Sequence, residues 1–487
     1  MSRQPGSRGG WSRPARRELL LLAVIVGVYL LMALWLIAAG APLGHDESVY
    51  ALRSRQMHLG GTSAWYWNDY RAPGLPLILQ VTWLISGTEP FLRLTVWCFG
   101  AAGVVLVWML GRLLFDTATG LIAAAGLALT APWLATSVMV WPDIPGAVLG
   151  LAAVTIVLVA TGPIRTSWWI VAAAPVASAA VLLRYGALFP MGIGVLAVIV
   201  WKRDIVRRSV PQYAVAVGAT VAAGLAVLFI PAVTGATTSP VSSMRALQAD
   251  NALPLTQGIR DYAEQAGFIL GGYAGLLLVA GLALGALYAR HDEIRRSAWL
   301  FVLAWMGATA LLLAIILHGE YRYLSPVYPV VWLIAGWGLA ETLRRLPREP
   351  ALVIGLVLAV LAPINAATHT SSETDLLEER FGDLRAVSRV IDTESGYEDC
   401  GVITSYIPQV AWYTECVARR FEPSPVLTSP FFARSQADYL LLVTGGKRQP
   451  EGDALDAYLE LVDDVFAESG DPNGGNLEYA VVYELDE

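Results

Sequence analysis

Residues Arg71-Ala72-Pro73-Gly74-Leu75-Pro76-Leu77-Ile78-Leu79-Gln80-Val81-Thr82-Trp83-Leu84-Ile85 decide how this chain is threaded. The apolar part, 73–85, is 13 residues long, whereas a helix needs about 20 residues to cross a bilayer core. That length suits a re-entrant or interfacial piece. Apolar runs also occur at 19–39, 91–114, 120–140, 146–160, 168–183, 188–201, 213–233, 267–288, 298–317, 325–340 and 351–367. These give about eleven candidate transmembrane helices.

Charge decides how the short segment counts. If 73–85 does not span, the basic N-terminus (Arg3, Arg8, Arg13, Arg16, Arg17) shares one side with every basic loop. Those loops carry Arg112, Arg165, Lys202 to Arg208, Arg290 to Arg296 and Arg344 to Arg348. Basic loops belong in the cytoplasm. If 73–85 spans, the loops move outside while the N-terminus stays in. The first threading is preferred, and it places Asp46, Glu47, Arg71, Asp143, Arg184, the 318–323 stretch and the tail after residue 367 on the extracytoplasmic face of a multi-pass plasma-membrane protein.

Composition agrees with a membrane protein. Of 487 residues, 56% are hydrophobic and 15% charged, which excludes a string of soluble domains. The net charge of −7 argues against nucleic acid as a partner. Run 19–39 is long enough to span and has no small-residue cleavage site, so it reads as a retained first helix.

The expected organisation is a cytoplasmic N-terminus over 1–18, a transmembrane domain over 19–367 with its first outer loop at 41–90, and a soluble domain over 368–487. That tail carries about three acids for each base. Its patterning predicts helices at 383–392, 408–414 and 454–466 and strands at 402–405, 417–421, 439–444 and 479–485, a small α/β domain. Cys400 and Cys416 each precede a predicted strand outside the cytoplasm, so they are expected to form a disulfide. Cys98 lies in a helix, where packing is the ordinary role of such a thiol.

The polar residues on the outer face suggest chemistry. Gly44-His45-Asp46-Glu47-Ser48-Val49-Tyr50 puts two carboxylates beside hydrocarbon, where acids are costly and usually functional. One of them suits a general base; the structural alternative is a helix N-cap. Tyr50, Leu52 and Met57 suggest a helix lying along the membrane surface with arginines on its polar side. Arg71, just before Pro73, sits at a helix start and suits an anion; snorkelling is the alternative. Asp143, between Pro142 and Pro145, is held in a tight loop where it binds acceptor or assists the base. Arg184-Tyr185 and Arg322-Tyr323 pair a charged fork with a neutral donor, as a phosphate requires, although both residue types also anchor at interfaces. His45 and His318 read as structural. His45, Asp46, Glu47 and Asp143 match no zinc spacing, and the arginines suit a phosphate without a metal, so neither metal nor cofactor is expected.

Together these residues resemble the GT-C membrane glycosyltransferases, in the branch of the protein O-mannosyltransferases and the lipid A aminoarabinose transferase. Asp46-Glu47-Ser48-Val49-Tyr50 looks like that branch's Asp-Glu motif. Arg71-Ala72-Pro73-Gly74-Leu75 is similar to its Lys-Pro-Pro-Leu element, with Arg for Lys and the prolines split. Glu89-Pro90-Phe91-Leu92-Arg93-Leu94 and Leu110-Gly111-Arg112-Leu113-Leu114-Phe115 look like its next helix. Asp143 stands in the place of its second-loop acid, and Arg322-Tyr323-Leu324-Ser325-Pro326 resembles its Arg-Tyr-x-x-Pro motif.

The resemblance implies a GT-C fold and an inverting displacement at a sugar's anomeric carbon. A polyprenyl-phosphate sugar is the donor, and the acceptor is a hydroxyl on protein, glycan or lipid. Asp46 takes the acceptor's proton with Glu47 in support, through an oxocarbenium-like transition state. Arg71, Arg184, Tyr185, Arg322, Tyr323 and Tyr50 meet the donor, and the arginines stabilise the leaving phosphate. A flippase or transporter, or a non-catalytic membrane scaffold, are the alternatives. The transporter would place ionisable residues at midplane in repeated, broken helices, and the scaffold leaves the acid and arginine clusters unexplained.

Overall fold

A computed structural model describes residues 14–60, 71–162, 165–229, 255–316, 320–395, 400–414, 416–421, 438–443, 452–459, 462–469 and 480–485. Helices come first: α1 Arg16–Ala38, α2 His45–His58, α3 Gly74–Trp83, α4 Glu89–Leu114, α5 Thr117–Ala128, α6 Ala131–Ser137, α7 Asp143–Ala160, α8 Ala173–Leu183, α9 Leu188–Trp201, α10 Arg203–Arg207 and α11 Val210–Phe229. There follow α12 Leu255–Glu264, α13 Ala266–Ile269, α14 Gly272–Ala289, α15 Glu293–Ile316, α16 Val327–Arg345 and α17 Arg348–Glu394. The C-terminal part is β1 Gly401–Ile403, α18 Ile407–Thr414, β2 Val417–Arg419, β3 Tyr439–Val443, α19 Asp453–Leu459, β4 Val462–Ser469 and β5 Ala480–Leu485.

The chain forms two compact units. The first takes Met1–Leu36, Asp69–Leu75 and Arg93–Thr370; the second takes Ile37–Asn68, Pro76–Leu92 and Ser371–Glu487.

The first unit is a helical membrane bundle. Among the described residues, five helices are long and apolar enough to span, or six if α5 and α6 count as one bent span. Several of the remaining expected spans are shorter apolar helices, including α8 and α9. Run 120–140 is not one straight helix: α5 and α6 meet at 64°. Pro132 lies in the first turn of α6, where its missing N–H costs nothing, and its ring disfavours continuing the helix through the preceding residues. Close packing uses small residues, as lipid-embedded helices do. Trp332 is 1% exposed and lies against Gly126, where an added Cβ would meet its ring at 2.2 Å. Its indole N–H donates to Thr130 Oγ1 at 2.7 Å, at the α5–α6 bend. Buried Glu18 of α1 pairs with Arg112 at 3.0 Å and accepts from Trp108 Nε1 at 3.1 Å. Cys98 is exposed on α4, so the packing role expected for it does not hold.

The second unit is built on a five-stranded sheet ordered β2-β1-β3-β5-β4. β1 pairs parallel with β2 and β3, and β5 pairs antiparallel with β3 and β4. The core joins Val402, Leu441 and Val482 of the strands to Leu384, Val387 and Ile391 of α17, and Leu52 of α2 belongs to it as well. Cys400 and Cys416 are disulfide-bonded. Two expectations change here. The predicted helix 454–466 stops at Leu459, and 462–469 is strand β4, because the antiparallel ladder with β5 satisfies its backbone groups. The predicted pieces 351–367 and 383–392 are one 47-residue helix, α17, which carries Pro363 within it.

Candidate active site

In the first unit the chain turns four times near one point, and each turn carries a residue singled out above. Asp143 is the first residue of α7 and only 3% exposed. Arg184 follows α8 in extended backbone and opens the 3-10 turn Tyr185–Ala187. Its guanidinium forms an ion pair with the Asp143 carboxylate. Gly146, one turn into α7, makes room for this: an added Cβ there would stand 3.1 Å from Arg184 Cβ.

The third turn is the 3-10 segment Tyr321–Leu324. Arg184 lies over the Tyr323 ring at 4.8 Å, and Arg322 lies over Trp141 at 4.5 Å and over Tyr323 at 5.2 Å. Arg322 Nε also pairs with Glu320 Oε2 at 2.5 Å. Arginine over an aromatic face gains from the ring quadrupole. The turn is braced from outside: Tyr321 N–H donates to Gln265 Oε1 at 2.9 Å, and Tyr328 Oη donates to Tyr321 O at 3.0 Å.

The fourth turn holds Arg71, which is half-buried. Gly74 lies against the backbone of α8's last turn, where a Cβ would stand 2.5 Å from Leu182 O. Only glycine permits that approach, and it brings the turn with Arg71 beside the one that carries Arg184. Tyr185 is 8% exposed. A cavity of about 20 Å³ is lined by Asp143, Ala147, Arg184, Gly186, Tyr323 and Pro326 among others, about the room one water needs.

The second unit carries the acid pair, in the first turn of α2. Glu47 is fully buried, and its carboxylate accepts from Gly44 N–H at 2.9 Å, closing the helix start on itself. Asp46 is half-buried and Tyr50 is 6% exposed. The expected open polar face of α2 is absent: Arg53 is 7% exposed, and Arg55 donates to backbone carbonyls of α18. The helix is docked on protein along its length because Leu52 is needed in the domain core. His318, grouped with the third turn by sequence, lies outside the described residues.

The family model for dolichyl-phosphate-mannose-protein mannosyltransferase matches residues 70–227, the stretch holding Arg71, Asp143 and Arg184. The crystal structure of ArnT from Cupriavidus metallidurans bound to undecaprenyl phosphate superposes with TM-score 0.63 at 14% identity, covering 95% of this chain and 97% of that one. This chain has the GT-C fold. The archaeal oligosaccharyltransferase AglB from Archaeoglobus fulgidus, in complex with an inhibitory peptide and a dolichol-phosphate, is also similar. Its TM-score is 0.54 at 13% identity, over 88% of this chain and 69% of that one. No curated protein sequence matches the chain.

Sequence reading missed two residues of the GT-C bundle. Tyr262 of α12 sits close enough to Tyr323, Arg184 and Glu320 to feel their charges. Burial first, then Tyr323, pushes its phenol well above the ordinary value, with Arg184 pulling the other way. Its hydroxyl has no hydrogen-bond partner among the described residues. The signal was a charged and aromatic run, Arg260-Asp261-Tyr262, in a stretch outside every expected span. Arg93, 4% exposed, donates to Val138 O at 3.0 Å and ties down the loop leading to Trp141 and Asp143. In the sequence it falls within the helix motif Glu89 to Leu94. Among the described residues, no three His, Cys, Asp or Glu side chains group as a metal would require.

Proposed function

We propose that this protein transfers a sugar, with inversion, from a polyprenyl-phosphate donor to a hydroxyl of protein, glycan or lipid on the extracytoplasmic face of the plasma membrane. The observation that carries the reading is the stack of Arg184, Tyr323, Arg322 and Trp141 beside buried Asp143, in a bundle with the GT-C fold. Stacked arginines present planar N–H forks, the geometry that binds a phosphate monoanion or dianion in a bidentate way.

In this reading Arg184, Arg322 and Arg71 hold the donor phosphate and stabilise the charge that grows on it as the glycosidic bond breaks. Asp143 keeps Arg184 oriented through their ion pair. Tyr323, Tyr185, Tyr50 and Tyr262 supply neutral donors to the phosphate or the sugar hydroxyls. Asp46 takes the proton from the attacking acceptor hydroxyl, a role worth about 10²–10⁴-fold. Glu47 supports it by capping the helix. The lipid tail of the donor stays in the bilayer, which accounts for a site built on a membrane bundle. No metal enters the proposed reaction.

The test is radiolabelled transfer by purified protein from a panel of polyprenyl-phosphate sugars, with peptide, glycan and lipid acceptors in separate arms. Transfer from one donor, lost in Asp46→Asn, is the expected result. Absence of transfer from every donor, with the lipid phosphate unbound, ends the proposal.

A further inference from the structure

The helix that carries Asp46 is anchored at both ends by one short element of the second unit. At its start, Leu43 N–H donates to Tyr413 Oη at 2.8 Å in a buried setting. Gln409 is fully buried, and turning its amide sets its oxygen 3.2 Å from His45 N–H and its nitrogen 3.3 Å from Tyr406 O. Thus the backbone N–H groups on either side of Gly44 are held by two side chains of α18. At the far end, Arg55 donates to the carbonyls of Ala411 and Trp412, at 2.5 and 3.3 Å, and lies over the Trp412 ring at 5.1 Å. Those are C-terminal carbonyls of α18, where a helix favours a cation. Trp412 is itself fixed through its indole N–H to Glu89 Oε1 at 3.3 Å. In between, Leu52 packs into the same core as Val410, Ala411 and Cys416.

All the α18 groups that hold α2 lie inside one covalent loop. The Cys400–Cys416 disulfide joins cysteines 16 positions apart and encloses β1 and α18. Free-standing, α18 is an eight-residue helix, too short to persist alone. The disulfide and the parallel pairing of β1 with β2 give it a rigid seat.

We infer that α18 is the positioning element for the Asp46 helix, with Tyr413, Gln409 and Arg55 as positioning residues and the Cys400–Cys416 loop as their support. The inference rests on the glycosyl-transfer reading for Asp46 as base. It gives the C-terminal domain a role in orienting the proton acceptor. A positioning role acts on the geometry of proton removal, so it lowers kcat and leaves donor binding intact.

The experiment uses the full chain in nanodiscs, with Tyr413→Phe and Gln409→Leu made separately. Each removes one oxygen that holds the start of α2. Two readouts are taken: backbone hydrogen exchange over residues 43–48, and kcat with KM for the donor. The expected result is exchange at 43–48 faster by about tenfold or more, exchange in β3 and β5 unchanged, kcat down about tenfold and donor KM within about twofold. Reduction of the disulfide in the wild-type protein gives the same pattern. Unchanged exchange at 43–48 in both variants overturns the inference, as does faster exchange with unchanged kcat. Loss of donor binding in step with kcat also overturns it. A wild-type protein inactive on every donor defeats the glycosyl-transfer reading instead, and exchange alone then decides whether α18 holds α2.

Discussion

The Asp143 carboxylate at the start of α7 and the Arg184 guanidinium at the end of α8 form an ion pair, with Asp143 3% and Arg184 22% exposed. The two residues are 41 positions apart in the chain and meet because both helices end at the same level. Removing one partner strands the other. Arg184→Met is expected to destabilise the bundle by about 3 kcal/mol, since it leaves a buried carboxylate uncompensated. The double variant Asp143→Asn/Arg184→Met should recover part of that loss. Thermal unfolding of the four proteins in a double-mutant cycle measures the coupling, and strict additivity would show that the pair does not hold the turn.

The acid pair should divide by substitution. Asp46→Asn is expected to lower kcat by at least about 10²-fold with little effect on unfolding. Glu47→Ala should cost about 1 kcal/mol of stability, because its carboxylate caps the first turn of α2. Glu47→Gln keeps an acceptor oxygen there and should behave more like wild type. Transfer rates and melting temperatures measured side by side separate the two acids; equal loss of turnover in Asp46→Asn and Glu47→Gln would contradict the division.

Tyr262 offers a cleaner probe of the proposed donor site. Its hydroxyl makes no hydrogen bond to a described residue, so Tyr262→Phe removes no hydrogen bond among the described residues. Stability should stay within about 0.5 kcal/mol. If the hydroxyl donates to the bound donor, affinity falls about 3–10-fold, the worth of one neutral hydrogen bond. Equilibrium binding of polyprenyl phosphate to the two proteins decides it, and equal affinity would remove Tyr262 from the site.

A second charged cluster sets a pH limit on the bundle. Asp116 pairs with Arg344 at 2.6 Å and accepts from Thr119 N–H at 3.0 Å. Burial alone would raise its carboxyl, but these partners outweigh it and hold the group below its ordinary value. A depressed folded-state value means the stabilisation is complete above the unfolded carboxylate range, about pH 4, and is lost as pH falls through the folded value. Asp116→Asn should therefore be less stable than wild type at pH 7, with the gap closing below about pH 4. Unfolding measured from pH 3 to 7 checks this, and a gap that widens on acidification would reverse the sign.

Much of the bundle was legible in the chain itself. Run length and loop charge marked 73–85 as too short to span, and it forms the 10-residue helix α3. The tail's alternation announced a small α/β domain. The errors came where local pattern and tertiary pairing compete. Residues 462–469 carry apolar spacing compatible with a helix turn, and only the ladder with β5 makes them a strand. Run 120–140 is continuously hydrophobic and reads as one span, while in the structure it bends by 64° next to Pro132.

The candidate site divides in the same way. Residue type and order along the chain mark the candidate acids, arginines and tyrosines, because carboxylates and guanidinium groups next to hydrocarbon are costly wherever the chain runs. Which of them meet was decided by packing. Asp143 meets Arg184 where Gly146 leaves room for the Arg184 side chain, Gly74 lets the Arg71 turn approach the end of α8, and Tyr262 joins them from a stretch with no motif. Asp46 and Glu47, adjacent in sequence, part company in burial because the rotation of about 100° per helical residue points the second into the protein. Sequence periodicity constrains what each segment tends to be, while contacts between distant segments depend on side-chain shape and the absence of a Cβ, which only the tertiary structure brings together.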